Sequence, residues 1–299
     1  MTRMACHVCA APCLAPVPSY AAMPRVSSDC RPVQPGGALY VCTACGVAQK
    51  PATPEFLADI AAIYAAYDVY YQGGGADQIV FDVEAGTGVR RSVLLSRRLA
   101  ATGLLPESGS VIDIGCGNGA FLRALGSVMP GCELYGLELD ERNLVAMREI
   151  PRFAGLKVGD VTKLDGEYAL ITMVHVLEHL TDPFATLAAL RRNLGAEGLL
   201  FIEVPNVAEN PFDLVVADHA THFTPPALES LLVRAGLEPL LFETDWVRKE
   251  MSVLVRPTGG RVRARQKADP PRLIAAQLAW LDATLAAARL ASARAAAFG

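Results

Sequence analysis

Apolar and polar positions along this chain follow two rhythms. Nearly unbroken apolar runs occupy residues 111–114, 134–139, 168–174 and 199–204, with a shorter one ending at Lys157-Val158. Between them, residues 121–128, 141–150, 183–194 and 225–235 carry apolar positions at helical spacing. A run that is apolar on both faces predicts a buried strand, and strand–helix alternation requires a parallel sheet with right-handed crossovers. Residues 239–244 and 251–255 predict a closing antiparallel pair. Upstream, residues 54–71 predict a helix that begins after Thr53, with Phe56, Leu57, Ile60, Ile63, Tyr64 and Tyr67 at helical spacing. The Gly73-Gly74-Gly75 triplet after it suits a hinge or lid beside Tyr70 and Tyr71. Residues 89–102 predict a further helix whose Arg90, Arg91, Arg97 and Arg98 read as a solvated face. On a last, Ala-rich helix, Ile274, Leu278, Leu281 and Leu285 form a seam suited to another helix, so a homodimer through it is expected.

The first strand runs into Val-Ile-Asp-Ile-Gly-Cys-Gly-Asn-Gly at residues 111–119. Gly115, Gly117 and Gly119 lack a Cβ, so the backbone can turn sharply there and approach a ligand closely. A nicotinamide fingerprint needs Gly-x-Gly-x-x-Gly, and the last position is filled by Ala120. Asp113 puts an acid near the strand's carboxyl end, which suits a cation better than a diphosphate. Glu138 closes the second strand, about twenty residues on, where a carboxylate can accept ribose hydroxyls. Asp160 follows the third run, and the fourth leads into His175-Val176-Leu177-Glu178-His179. Acids at strand ends also cap the next helix, an alternative open for both Glu138 and Asp160.

In this order, Asp-x-Gly-x-Gly-x-Gly, Glu138, Asp160 and His-Val-Leu-Glu-His resemble the class I S-adenosylmethionine-dependent methyltransferases over residues 94–255. The resemblance implies an α/β fold with a doubly wound, seven-stranded Rossmann-like sheet. It further implies a donor site at Asp113, Gly115, Cys116, Gly117, Gly119, Glu138, Leu139, Asp160, Val161 and His175. Gly115 and Gly117 would approach the methionine part, Glu138 the ribose and Asp160 the adenine amino group.

Six of the eight cysteines precede residue 46. Cys6-x-x-Cys9 and Cys42-x-x-Cys45 each resemble one knuckle of a zinc ribbon, and two such turns can set four thiolates around a structural Zn²⁺. Disulfides are the alternative, disfavoured in a reducing cytoplasm. Cys13, Cys30 or His7 could replace one ligand, whereas Cys116 and Cys132 read as packing residues. The proline-rich segment between the knuckles is too short and irregular for its own core, so metal would supply most of its folding free energy.

A second cluster, Asp218-His219-Ala220-Thr221-His222-Phe223-Thr224, could supply metal ligands, polar core groups or a base. With the cysteines it resembles the zinc-containing sugar C-methyltransferases, although it departs from them at the acid, the aromatic and the hydroxyl residue. That resemblance places Tyr71 and His179 near the acceptor. The catalytic candidates are therefore His219, His222, His179, Tyr71 and Asp218.

Composition narrows the alternatives. The 299 residues carry 27 Lys and Arg against 31 Asp and Glu, a net charge of −4. No field across the chain favours nucleic acid, and Arg3, Arg25, Arg31 and Lys50 are too sparse for a zinc-ribbon nucleic-acid binder. No apolar run of membrane length is read, and a cytoplasmic enzyme is expected. The expected division is a zinc module (1–52), a helical extension (53–105), a catalytic domain (106–258) and a linker with helix (259–299). The expected activity is methyl transfer from S-adenosylmethionine to a nucleotide-linked or glycan sugar with a His base. The alternatives are an O- or N-methyltransferase acting on another small molecule and, more remotely, an NAD-dependent oxidoreductase.

Overall fold

Few large apolar residues stand in the first fifty positions, and that region folds as short antiparallel strands: β1 (Leu14–Pro16), β2 (Arg25–Val26), β3 (Pro32–Val33), β4 (Tyr40–Cys42) and β5 (Ala48–Gln49). The structure is a computed structural model that describes residues 4–66, 76–259 and 272–298. Tyr67, Tyr70, Tyr71, the glycines at 73–75 and the basic run 261–267 lie outside the described residues.

Helix α1 (Pro54–Ala65) starts where expected, with the Thr53 side chain accepting from the Phe56 N–H and Pro54 in the first turn. The helix expected from residue 89 begins later. Residues 87–90 pair instead as β7 (Thr87–Arg90) with β6 (Ile79–Asp82), and α2 (Arg91–Ala101) follows. The core then runs β8 (Gly109–Ile114), α3 (Ala120–Val128), β9 (Cys132–Glu138), α4 (Leu144–Met147), β10 (Phe153–Val158), β11 (Tyr168–Val174), α5 (Pro183–Leu190), β12 (Leu194–Pro205), β13 (Thr221–His222), α6 (Pro225–Arg234), β14 (Leu237–Glu243), β15 (Glu250–Pro257) and α7 (Arg272–Phe298). Helix α4 is one turn rather than the expected ten residues. Helix α5 gives way to a 3₁₀ turn at Arg191–Asn193, and β12 starts there, earlier than its apolar run.

The seven strands lie in the order β10-β9-β8-β11-β12-β15-β14. All pair in parallel except β15 and β14, which close the sheet as the expected antiparallel pair. The winding reverses between β8 and β11, and a crevice opens at the carboxyl ends of the strands at such a point. Each strand reads as continuously apolar because both faces are covered. Ile112, Ile171 and Ile202 meet Leu187, Leu228 and Leu231 of α5 and α6, while Val111, Leu170 and Phe201 meet Leu95, Leu122 and Leu125 of α2 and α3. Truncating one of these buried leucines to Ala costs about 2–5 kcal/mol.

A second sheet, β1-β4-β5-β13, joins the first fifty residues to the catalytic unit, because β13 comes from the segment between β12 and α6. Three residues of the α7 seam pack within the chain: Ile274, Leu278 and Leu281 are buried with Tyr20, Met23, Leu39 and Leu214. Its Gln277 Nε2 donates to the Ala208 carbonyl. Leu285, the fourth residue of the expected seam, is half-buried. No apolar run of membrane length was expected, yet by length and composition the Arg272–Ser292 stretch of α7 is one among the described residues. Its Ile274, Leu278 and Leu281 lie on the protein, while Trp280 and Leu290 are exposed.

Candidate active site

The glycine turn after β8 is bent as its residues suggest. Gly115 and Gly119 have φ of +65° and +78°, a region that costs side-chain-bearing residues about 1 kcal/mol or more. A Cβ on Gly115 would meet Val176 Cγ2 at 2.6 Å, and one on Gly119 would meet Ile150 Cδ1 at 2.6 Å. The turn is tied to β9 through Glu138, whose Oε1 accepts from the Gly117 N–H (2.7 Å) and whose Oε2 accepts from the Leu139 N–H (3.0 Å). Asp113 is buried and accepts from Thr172 Oγ1 at 2.6 Å; burial pushes its carboxyl up to about 7. Cys116 is buried, and its Sγ lies 2.5 Å from where a Cβ on Gly136 would stand.

From this turn a cavity of about 770 Å³ extends past Asp113, His175, His179, His219 and Glu250 to Ser27 and Ser28 of the N-terminal region. Two buried polar networks wall it. In the first, His175 has φ of +55° and its N–H donates to the Glu203 carbonyl at 2.9 Å, so the turn after β11 aims its ring inward. His175 Nδ1 lies 3.0 Å from Glu178 Oε1, and its Nε2 is 3.7 Å from both Glu203 and Glu250. Arg91 bridges Glu203 (2.6 Å) and Glu250 (3.2 Å) and is only 8% exposed. It is no part of a solvated face. Burial and Arg91 act against charge on His175, but Glu250 and Glu178 outweigh them and its pKa is raised. Burial pushes Glu250 up to about 7 against the pull of His175 and Arg91.

The second network centres on Asp213, in the 3₁₀ turn Pro211–Val215. His219 Nδ1 donates to its Oδ1 and His222 Nδ1 to its Oδ2, both at 2.6 Å. Burial opposes the charge on Asp213, but the two histidines hold its carboxyl well below the usual carboxylate range. His222 is fully buried, and its Nε2 is taken by Lys50 Nζ at 3.1 Å. His219 keeps its Nε2 and lines the cavity. His179 packs edge-on against His219, their centroids 4.6 Å apart, and holds the Asp218 carbonyl through Nδ1 at 3.2 Å. Asp218 is buried and accepts from the Ser28 N–H (2.9 Å) and Oγ (2.5 Å), so it faces the N-terminal region.

In that region Cys6 and Cys45 place Sγ atoms 3.6 Å apart, as do Cys9 and Cys42, and all four lie within 4.8 Å of one another. Cys13 Sγ stands 3.9 Å from Cys42, while Cys30 is exposed and lines the cavity. His7 points out of the cluster, its Nδ1 2.7 Å from Thr221 Oγ1. None of the eight cysteines is in a disulfide.

A family profile described as a methyltransferase domain matches residues 89–241. The chain belongs to that methyltransferase family. The enzyme is a class I S-adenosylmethionine-dependent methyltransferase, and the nicotinamide alternative lapses. Ubiquinone biosynthesis O-methyltransferases resemble it: that of Cereibacter sphaeroides is 25% identical over 46% of this chain and 63% of its own. That of Bordetella avium is 28% identical over 43% and 62%. The methyltransferase thus spans less than two thirds of the length of these curated relatives. Among solved structures, a methyltransferase in calicheamicin biosynthesis in its SAH-bound form matches with a TM-score of 0.50 at 21% identity, over 70% of this chain and 64% of that one.

The fold of the methyltransferase gathers some of the residues singled out in the sequence and disperses others. Asp113, Gly115, Cys116, Gly117, His175, His179 and His219 line one cavity. Glu138 is bonded to the turn that lines it. Asp160 accepts from the N–H and Oγ1 of Thr162, both at 2.8 Å, and caps the turn that begins at Val161, the alternative left open for it. Leu139 is exposed beside Glu138. His222 and Asp218 support the cavity wall from behind. Tyr71 lies outside the described residues. The sequence reading gave no role at the site to Lys50, Glu178, Asp213 or Glu250, set Arg91 on a solvated face, and placed Glu203 only at a strand exit on the ligand side. Glu178 stood inside the His-Val-Leu-Glu-His motif, whereas nothing local marked Lys50 or Arg91.

Proposed function

We propose that this methyltransferase moves the methyl group of S-adenosylmethionine to an oxygen or acidic carbon of a hydroxyl-rich small molecule, a nucleotide-linked or glycan sugar, with His219 as general base. The observation that carries this reading is the Asp213–His219 pair. A carboxylate on Nδ1 fixes the tautomer and leaves the Nε2 lone pair on the cavity wall, as a base requires. His179, whose pKa is raised because Asp218 and Glu178 outweigh its burial, stands beside it and suits orienting an acceptor oxygen. The Ser27, Ser28 and Asn210 groups along the same wall suit acceptor hydroxyls.

The glycine turn fits the donor. Gly115 and Gly119 turn the chain where a Cβ would strike Val176 and Ile150, so that Gly115 and Gly117 line the cavity beside Asp113 while Glu138 holds the Gly117 N–H. S-adenosylmethionine supplies an electrophilic methyl on a sulfonium, so the chain's own work is alignment, exclusion of water and removal of one proton. Cys6, Cys9, Cys42 and Cys45 would hold Zn²⁺: a tetrahedron with arms of about 2.3 Å has edges of about 3.8 Å, near the observed 3.6 Å. That ion would brace residues 4–50, which supply Ser28 to the cavity wall and Lys50 behind it.

The names of the curated relatives favour a second reading, O-methylation of a non-sugar hydroxyl, which needs the same base. Turnover assayed against nucleotide sugars and against phenolic acceptors separates the two. A failure of calorimetry to detect S-adenosylhomocysteine binding would remove the donor site from the glycine turn.

A further inference from the structure

Lys50 is 1% exposed, and each of its three ammonium N–H groups has a single acceptor: the Val216 carbonyl (2.6 Å), the His219 carbonyl (2.8 Å) and His222 Nε2 (3.1 Å). Three donors meeting three acceptors match the charged form. If Nε2 of His222 accepts, its Nδ1 carries the proton given to Asp213, and Asp213 Oδ1 is left for the Nδ1–H of His219. One arrangement of protons satisfies the whole chain Lys50–His222–Asp213–His219. It contains one negative charge, on Asp213, and one positive charge, on Lys50, with both imidazoles neutral.

We infer that Lys50 is a positioning residue for His219: its ammonium balances Asp213, keeps the excess proton off the two imidazoles, and anchors the His219 main chain. The inference rests on the reading of His219 as the base. It gives a buried cation at the end of the N-terminal sheet a task that the cysteine cluster alone does not explain. Lys50 directly follows β5, and its N–H donates to the Ala220 carbonyl at 2.8 Å, so the N-terminal region and the His219 segment are held by both backbone and charge. Without Lys50, Asp213 would remain a buried anion between two histidines, and the cheapest countercharge would be a proton on one of them.

The surrounding charges allow this assignment. His219 faces Asp213 from the 211–215 turn, Glu178 and His179 from the 177–179 turn, Asp218 beside it and His222 on β13. Lys50 faces Asp213, Asp218 and Arg25. Burial draws Lys50 down to about 7 against Asp213 and Asp218, while burial and Lys50 together hold His222 down to about 4. The excess proton therefore belongs to Lys50 before His222.

Lys50→Gln keeps hydrogen-bond donors near two carbonyls and removes the charge; Lys50→Arg keeps the charge. Imidazole NMR titration is expected to show the His219 pKa raised by about one to two units in Lys50→Gln and close to wild type in Lys50→Arg. The acid limb of kcat/KM should move upward by the same amount, with turnover regained at higher pH and donor KM unchanged. An unshifted His219 titration, or a loss of turnover equal at every pH, overturns the inference. Should Lys50→Gln not fold, nitrogen-15 spectra of the wild-type protein decide it. At pH 6.5, below the Lys50 value of about 7, both rings are expected as Nδ1–H tautomers, and a doubly protonated ring at either position refutes the charge assignment. If His219→Ala keeps its turnover, the base reading alone fails, and the titration shift still decides the part played by Lys50.

Discussion

On the glycine-turn side of the cavity, Asp113, Gly115, Gly117 and Glu138 come from one β8–turn–α3–β9 unit and are held by backbone geometry and bonds within it. On the histidine side, Lys50, His179, Asp213 and His219 come from four separated stretches and are held by buried charges. A site set by dihedrals tolerates changes of charge and fails when a Cβ is added. A site set by balanced buried charges tolerates small changes of shape and fails when one partner is removed. Donor binding and acceptor chemistry should therefore separate under mutation.

The largest effect expected is on turnover. His219→Ala should lower kcat by about 10²- to 10⁴-fold, the span of general acid–base catalysis, while calorimetry finds S-adenosylhomocysteine affinity unchanged. A mutant that keeps near-normal kcat would take the base away from this position. Next in size, Cys42→Ser or chelation should release one bound zinc per chain, lower the melting temperature and abolish turnover, with donor binding largely retained. Loss of donor binding along with the zinc would show that the two sides are not independent.

The third effect is on stability against pH. His222 is held neutral at a pKa of about 4 against 6.5 for a free imidazole. As pH falls from 6.5 towards 4, the unfolded chain gains a proton there that the folded one refuses, so stability drops by up to about 3 kcal/mol. His175 and His179 are shifted the other way: their contribution is present below 6.5 and is lost as pH rises above it. Because Asp113, Glu250 and Lys50 also titrate in the folded protein, the His222 part is read against His222→Gln: the wild-type advantage in melting temperature should shrink as pH falls from 6.5 towards 4, and an advantage that does not change with pH would argue against a buried neutral His222. The smallest effect belongs to the glycine side. Gly115→Ala forces a 2.6 Å contact with Val176 at a φ of +65°, which should weaken donor binding by about tenfold, or 1.4 kcal/mol, and leave the pH profile of kcat in place.

The parts that were legible are those whose physics is local. Strand order up to the antiparallel pair, the helix start after Thr53 and the glycine turn depend on residues a few positions apart. Asp160 shows the limit even there, since one acid after a strand can cap a turn or face a ligand, and the sequence states no preference. Arg91 was misread because its neighbours are polar and its partners, Glu203 and Glu250, lie far along the chain. The α7 seam was read correctly as apolar, but which surface covers it depends on where the N-terminal region docks.

By itself the sequence determined the doubly wound sheet, the bend after its first strand and the pairing of Cys6-x-x-Cys9 with Cys42-x-x-Cys45, because periodicity, missing Cβ atoms and ligand spacing act over short distances. Only the tertiary structure decided that His219 faces the cavity while His222 is sealed behind it, and that Lys50 supplies the charge between them. Burial and the balance of charges are properties of a closed volume, and no single stretch of the chain contains one.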